Sequence, residues 1–210
     1  MQKFWETAGR QLRNPHGLSG WMMGHLMCLI NHTPNAMAIS ALDIAESDHV
    51  LEIGFGPGCA LKQLAKLARH GHVSGIDSSF TMFAQAHARN QHAIRLGKMD
   101  LHVLGSDRLP HGDHSVDRIL AVNVAYFLGS DGRALAEMRR VLKPGGKLVI
   151  YVTRDSSMKN WKFASAKTHR LFNGAGLRAM LENSAFRDRS IAIKDVRLFP
   201  GIVGLLAEVV

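Results

Sequence analysis

The sequence has few cysteines and no long apolar run near its start. Cys28 and Cys59 are the only cysteines among 210 residues, too few for a disulfide scaffold and without metal-ligand spacing. We expect both to be buried thiols in a reducing compartment. The opening residues, MQKFWETAGR, lack the apolar core of a signal peptide. The stretch WMMGHLMCLI, interrupted by His25, is far shorter than the roughly 20 residues of a membrane span. These absences predict a cytoplasmic protein.

The chain also lacks any block of like charges, although its net charge is +9, from 26 basic and 17 acidic residues. A basic surplus can attract nucleic acid or an anionic lipid surface. Here the surplus is spread along the sequence, so we predict no nucleic-acid partner, and peripheral membrane contact stays open as the weaker alternative. An apolar content of 46% and a charged content of 20% are typical of a globular protein.

The sequence divides into a helical start and an alternating remainder. Residues 1–48 show helical patterns. From residue 49 onwards, short β-branched runs alternate with helical stripes, which indicates a parallel sheet with helices on both faces. We expect ALAEMRRVLKPGG to form a helix that Pro144 stops. Near residue 200 two apolar runs flank a Pro-Gly turn signal, which favours a closing hairpin.

Three glycines follow the first predicted strand, in VLEIGFGPG. Gly54, Gly56 and Gly58 stand at alternate positions, and Glu52 lies two residues before the first. Glycine lets a backbone approach a ligand closely and adopt positive φ. In parallel sheets, ligands bind at the carboxyl ends of the strands. The spacing differs from the dinucleotide fingerprint G-x-G-x-x-G, because position 59 is cysteine, and no G-K-[ST] of a phosphate-binding loop follows.

Two acidic residues follow the next predicted strands. Asp77 ends the second strand, where a carboxylate can accept hydrogen bonds from both ribose hydroxyls. It could also cap the helix that follows. Asp107, in GSDRLP after the third strand, could accept a hydrogen bond from an exocyclic amine. Together with the glycines, these positions indicate a nucleotide-like ligand.

These motifs, in this order, resemble those of class I S-adenosylmethionine-dependent methyltransferases of the type 11 group. The resemblance is carried by VLEIGFGPG, GIDSS, GSDRLP, VDRILAVNVAYFL and EMRRVLKPGGKLVI, and it spans about residues 49–152. It implies a Rossmann-like α/β fold: a doubly wound sheet of about seven strands, mostly parallel with a reversed C-terminal hairpin strand. Residues 1–48 would be a helical lid or extension, and residues 49–210 the S-adenosylmethionine-binding domain.

The resemblance also implies roles for individual residues. The three glycines would lie under the methionine part and the ribose, Glu52 would support that loop and orient the amino group, and Asp77 would hold the ribose. The adenine would be held by Met82 on its face and by Ser106 and Asp107 at its edge. The remaining implied donor contacts are Ser78, Asn123 through its backbone carbonyl, and Tyr126 beside the sulfonium.

No catalytic residue is fixed by the sequence. Methyl transfer from a sulfonium is an in-line displacement of an activated donor, so alignment is the main requirement and a base is optional. Tyr126, His16 and His25 are the candidates. His111 and His114 in PHGDHS lack further ligands at metal spacing, so we predict no metal cofactor.

The methyl acceptor is not encoded in the donor motifs. We predict transfer to an O, N or C atom of a small metabolite, with S-adenosylhomocysteine as the product. Phospholipid N-methylation, of the phosphatidylethanolamine type, is the alternative, although the segment at residues 18–30 lacks the basic face of an interfacial helix. RNA methylation is a further alternative, but NVAY after the fourth strand lacks the prolines of amino-methylating enzymes.

Overall fold

The computed structural model describes residues 17–159, 161, 163–164, 169–199 and 201–210. Two helices come first, α1 (Gly17–Ile30) and α2 (His32–Leu42). Strands and helices then alternate in the order β1 (His49–Ile53), α3 (Leu61–Leu67), β2 (His72–Asp77), α4 (Phe80–Arg95), β3 (Met99–Val103), β4 (Val116–Val122), α5 (Arg133–Val141) and β5 (Leu142–Thr153). The last elements are α6 (Asp155–Met158), α7 (Gly174–Glu182), β6 (Ile191–Phe199) and β7 (Ile202–Val209).

The seven strands of the described residues form one sheet in the order β3-β2-β1-β4-β5-β7-β6. Strands β1 to β5 are parallel to their neighbours, whereas β7 runs antiparallel to both β5 and β6. The strand order reverses direction between β1 and β4, the kind of switch point where doubly wound sheets bind ligands. The predicted fold, including the reversed C-terminal hairpin, is confirmed.

Two hydrophobic clusters cover the two faces of this sheet, because successive side chains of a strand point to opposite faces. Leu51 of β1 packs with α5 and α7 on one face, and Val50 packs with α2, α3 and α4 on the other. Helix α2 contributes Ala38 and Leu42, both fully buried, to the second cluster. The N-terminal segment therefore supplies part of the core, and a domain boundary at residue 48 stays a prediction.

One predicted helix end is wrong. Helix α5 ends at Val141, and β5 already begins at Leu142, so Pro144 lies in the strand and does not stop the helix. The pairing of β4 with β5 shifts register between Val116 and Arg118. Proline is tolerated at such irregular positions because no ladder hydrogen bond from its nitrogen is required there.

A histidine cluster lies on β1, β2 and β3 and on the loop before β4. The rings of His49 and His102 lie 5.5 and 6.4 Å from that of His111, and Asp100 bonds to His102. Burial lowers the pKa of His111 to about 4, aided by His49, His102 and Arg140 and opposed by Asp100. The imidazole of His111 is therefore neutral in the folded protein.

We expect acid to destabilise the fold partly through this residue. The folded-state pKa of His111 lies below the ordinary value of 6.5, so the unfolded chain binds a proton first and stability falls as the pH drops from about 6.5 to about 4. His111→Gln should show a smaller fall in melting temperature between pH 7 and pH 5, measured by circular dichroism. His92→Gln, on an exposed site of α4, should behave like the unaltered protein; an equal fall in His111→Gln would contradict the prediction.

Candidate active site

The glycine-rich loop begins where β1 ends. Gly54, Gly56 and Gly58 all have positive φ, at 72°, 52° and 77°, a conformation that side-chain-bearing residues rarely adopt. A Cβ on Gly54 would lie 2.6 Å from a methyl of Val124, and one on Gly58 would lie 2.6 Å from Ala86. The first glycine thus lets the loop pass the end of β4, and the third lets it pack on α4.

Asp77 holds this loop in place from the end of β2. Its Oδ2 accepts a hydrogen bond from the Gly56 backbone N–H at 2.8 Å, and its Oδ1 accepts one from the Ser79 N–H at 2.8 Å. Burial raises the pKa of Asp77, and these two hydrogen bonds oppose the rise. Ser79 in turn caps α4 by accepting from the Met82 N–H at 3.2 Å.

Glu52 lies beneath the loop, on a central strand. Its side chain is 3% exposed, and burial, followed by the nearby charge of Asp77, raises its pKa to about 8. Among the described residues, its Oε2 has no hydrogen-bond partner. A buried carboxylate oxygen without a partner is costly, and a cationic ligand would relieve that cost.

These residues border one open cavity, and the empty space in and in front of it amounts to about 640 Å³. It lies at the carboxyl ends of β1, β2 and β4. Six of the predicted donor-binding residues line it: Glu52, Gly54, Gly56, Asp77, Met82 and Asn123.

The other predicted contacts are not among the residues that line this cavity. Gly58 faces α4. Ser78 is exposed and lies two residues before the start of α4. Ser106 and Asp107 lie in the turn after β3, where the carboxylate of Asp107 is 3.8 Å from the guanidinium of Arg133. That turn follows the edge strand of the sheet, so the adenine contacts assigned to it stay predictions.

Tyr126 is buried beneath the cavity in a hydrogen-bond network. Its hydroxyl donates to Asn123 Oδ1 at 2.9 Å, and the Asn123 amide donates to Asn31 Oδ1 at 2.9 Å. Burial raises the pKa of Tyr126 well above its usual value, so the phenol stays neutral. In this structure the side chain positions Asn123, which has a positive φ of 54°.

Of the two histidine candidates, His25 is not among the residues that line the cavity. His25 lies on an exposed face of α1, where its Nδ1 is 3.3 Å from the Trp21 carbonyl oxygen. His16 lies outside the described residues. No group of three metal-ligating side chains within the described part of the chain is arranged to hold a metal ion. The absence of a metal cofactor stays a prediction.

Sequence reasoning missed one wall of the cavity. Helices α1 and α2 and the residue between them supply four further lining residues: Met27, Cys28, Asn31 and Asn35. Positions 27, 31 and 35 recur every four residues, the period of one helix face. From that spacing, positions 27, 31 and 35 could have been assigned to one helix face.

The expectation of two buried thiols is wrong. Cys28 and Cys59 form a disulfide, with their Cα atoms 5.9 Å apart, and both are half-buried. They are 31 residues apart in sequence, and only the packing of the last turn of α1 on the glycine-rich loop brings them together. Spacing alone could not reveal that contact.

A doubly wound sheet with a glycine-rich loop, a buried acid beneath it and an acid ending β2 is an arrangement typical of nucleotide-binding α/β proteins. Residues 51–150 match the family model of the methyltransferase domain. The chain is 29% identical over 179 residues to YdaC of Bacillus subtilis (strain 168), described as an uncharacterized methyltransferase; the match covers 83% of this chain and 91% of that protein.

A second relative is an uncharacterized 37.1 kDa protein in transposon TN4556 of Streptomyces fradiae, 38% identical over 118 residues; the match covers 55% of this chain and only 33% of that protein. Among solved structures, a SAM-dependent methyltransferase from Aquifex aeolicus superposes with a TM-score of 0.67 at 21% identity, covering 84% of this chain and 89% of that one. Residues 51–150 therefore form a methyltransferase domain, and the fold is that of S-adenosylmethionine-dependent methyltransferases.

Proposed function

We propose that this protein transfers a methyl group from S-adenosylmethionine to an O, N or C atom of a small metabolite and releases S-adenosylhomocysteine. The observation that carries the proposal is the buried Oε2 of Glu52 on the cavity lining, which has no hydrogen-bond partner among the described residues. It lies beneath a loop of positive-φ glycines, where the donor's ammonium group would complete its hydrogen bonding.

The other lining residues fit the remaining parts of the donor. Asp77 would accept the ribose hydroxyls with the lone pairs that its two backbone bonds leave free. Met82, 1% exposed and on the lining, would pack against the adenine. The loop backbone at Gly54 and Gly56 would approach the ribose and the methionine part.

Bound in this way, the donor supplies an already activated methyl group. The protein then has to place the acceptor atom in line with that methyl and exclude water. The network from Asn31 through Asn123 to Tyr126 fixes the floor of the cavity, so it would position the acceptor side. The neutral phenol of Tyr126 is unsuited to act as a base at physiological pH.

A small-molecule acceptor is supported by the lining and by one relative. Met27 and Phe127 give the cavity an apolar wall, typical of metabolite sites. A similar protein, 29% identical over 154 residues, is named O-methyltransferase resE of Aspergillus sclerotiorum; the match covers 70% of this chain and 57% of that protein.

Phospholipid N-methylation is the second candidate, and helix α1 favours it. Five large apolar side chains of α1 are exposed: Trp21, Met22, Leu26, Leu29 and Ile30. Such a surface can enter a lipid interface, although α1 carries no basic residue in either terminal turn to attract anionic lipid. In the described part of the chain, no helix is long and apolar enough to cross a membrane.

The proposal is tested with methyl-labelled S-adenosylmethionine. The label is added with purified protein to a host extract, and the products are separated into small-molecule, lipid, nucleic-acid and protein fractions. We expect the label in the small-molecule fraction. Label in the lipid fraction would instead support phospholipid N-methylation. Gly56→Arg is the control, because its side chain would enter the cavity towards Met27 and place a cation where the donor's cation binds.

A further inference from the structure

The disulfide joins the two walls of the proposed donor cavity. Cys28 lies in the last turn of α1, Cys59 follows the glycine-rich loop, and both line the cavity. Both cysteines are half-buried and line an open cavity, whose mouth is the route by which small thiols would approach the disulfide. A disulfide that is exposed in this way is of the labile or regulatory kind more often than the structural kind.

Among the described residues, helix α1 packs on α4 where Gly24 meets the Gln85 side chain, and the disulfide holds its last turn at the cavity. Its apolar residues Met22 and Leu29 are 70% and 77% exposed, so little of its surface is buried against the domain. The Gln85 side chain donates to the Trp21 carbonyl oxygen at 3.2 Å. Helices are held in proteins mainly by burying an apolar face, and α1 buries little. The disulfide is therefore a main restraint on the position of α1 over the cavity.

We infer that Cys28 and Cys59 are a redox-controlled pair that governs exchange of the donor. This inference rests on the proposed function. In the oxidised protein the disulfide pins α1 to the glycine-rich loop and slows both entry and release of the donor. In the reduced protein α1 can move away from the loop, and exchange is faster.

The chemistry is thiol–disulfide exchange with a small disulfide such as oxidised glutathione. One cysteine thiolate attacks a sulfur of the small disulfide, that S–S bond breaks, and one reduced thiol leaves. The second cysteine thiolate then attacks the mixed disulfide and releases the second thiol. The protein loses two protons and two electrons, and the small disulfide gains them. A dithiol reverses both steps.

The test measures the release of labelled S-adenosylhomocysteine from the whole protein, chased with excess unlabelled compound. Protein equilibrated with oxidised glutathione is compared with protein in dithiothreitol, and alkylation followed by mass spectrometry counts the free thiols in each. We expect release to be slower by about fivefold or more in the oxidised protein. We also expect Cys28→Ser and Cys59→Ser to release at the fast rate in both buffers.

Met22→Ser, on the exposed side of α1, is the matched control and should keep the full difference between the buffers. Equal release rates for oxidised and reduced protein would overturn the inference while leaving the proposed function intact. Two alkylated thiols after oxidation would overturn it as well. Failure to bind in either buffer would instead contradict the proposed function, and the inference with it.

Discussion

Asp77→Ala is expected to weaken the binding of S-adenosylmethionine by about 10–100-fold, since a charge-assisted hydrogen bond contributes roughly 1.5–3 kcal/mol. Two losses combine in this variant. The carboxylate that would accept the ribose hydroxyls disappears, and the Gly56 and Ser79 N–H groups lose their acceptor. The glycine-rich loop would then be less ordered before the donor arrives. Isothermal titration calorimetry measures the affinity directly.

Two further variants make this experiment specific. Asp77→Asn keeps one oxygen acceptor but removes the charge, so its affinity should lie between those of the alanine variant and the unaltered protein. Asp131→Ala removes an exposed carboxylate that accepts a hydrogen bond from Arg133, two residues away, and does not line the cavity, so it should leave the affinity unchanged. If Asp77→Ala bound the donor as tightly as Asp131→Ala does, Asp77 would have no place in the site.

Glu52→Gln is expected to remove a pH dependence of donor binding as well as much of the affinity. The pKa of Glu52 without ligand is about 8, so the carboxyl is mostly protonated at pH 6 and must release its proton to pair with a cationic group. Donor affinity should therefore rise with pH between pH 6 and pH 7.5, by up to about tenfold per pH unit. Calorimetric titrations across this range should show the rise in the unaltered protein and a flat profile in Glu52→Gln.

The same substitution should stabilise the protein without ligand. A carboxyl whose folded-state pKa is raised above the ordinary 4.5 contributes fully to stability below pH 4.5, and that contribution is lost as the pH rises through about 8. Near pH 7.5 the glutamine variant should be more stable by on the order of 2–4 kcal/mol, and the difference should vanish towards pH 4.5. Equal urea unfolding curves at both pH values would contradict this account of Glu52.

The fold could be predicted from local patterns because β1 to β4 are short runs that contain β-branched residues and are bounded by turn residues. Glu52 and Asp77 could be placed at one site for the same reason: each has a fixed position in a parallel strand, and such strands end at the same edge of the sheet. Their hydrogen bonds and burial follow from that placement. The glycine-rich loop adds its own signal through spacing.

The N-terminal wall of the cavity could not be predicted in this way. The position of Asn31 and Cys28 depends on how α1 and α2 pack over the sheet, and nearly uniform apolar composition in α1 leaves no clear face to orient it. Long-range packing also decides that Tyr126 is buried and that its hydroxyl bonds to the backbone of Thr153 in β5. The helix end at Val141 was missed because local stop signals do not report where strand pairing begins.

The insertion of β7 between β5 and β6 has a consequence during synthesis on the ribosome. Strand β5 and its apolar run are translated well before Ile202–Val209, which covers its second edge. At 5–20 residues per second, that edge stays open for roughly 3–10 s. An uncovered apolar strand edge can pair with another chain. When folding is slow or many chains are made at once, this interval would therefore be the main source of misassembled protein.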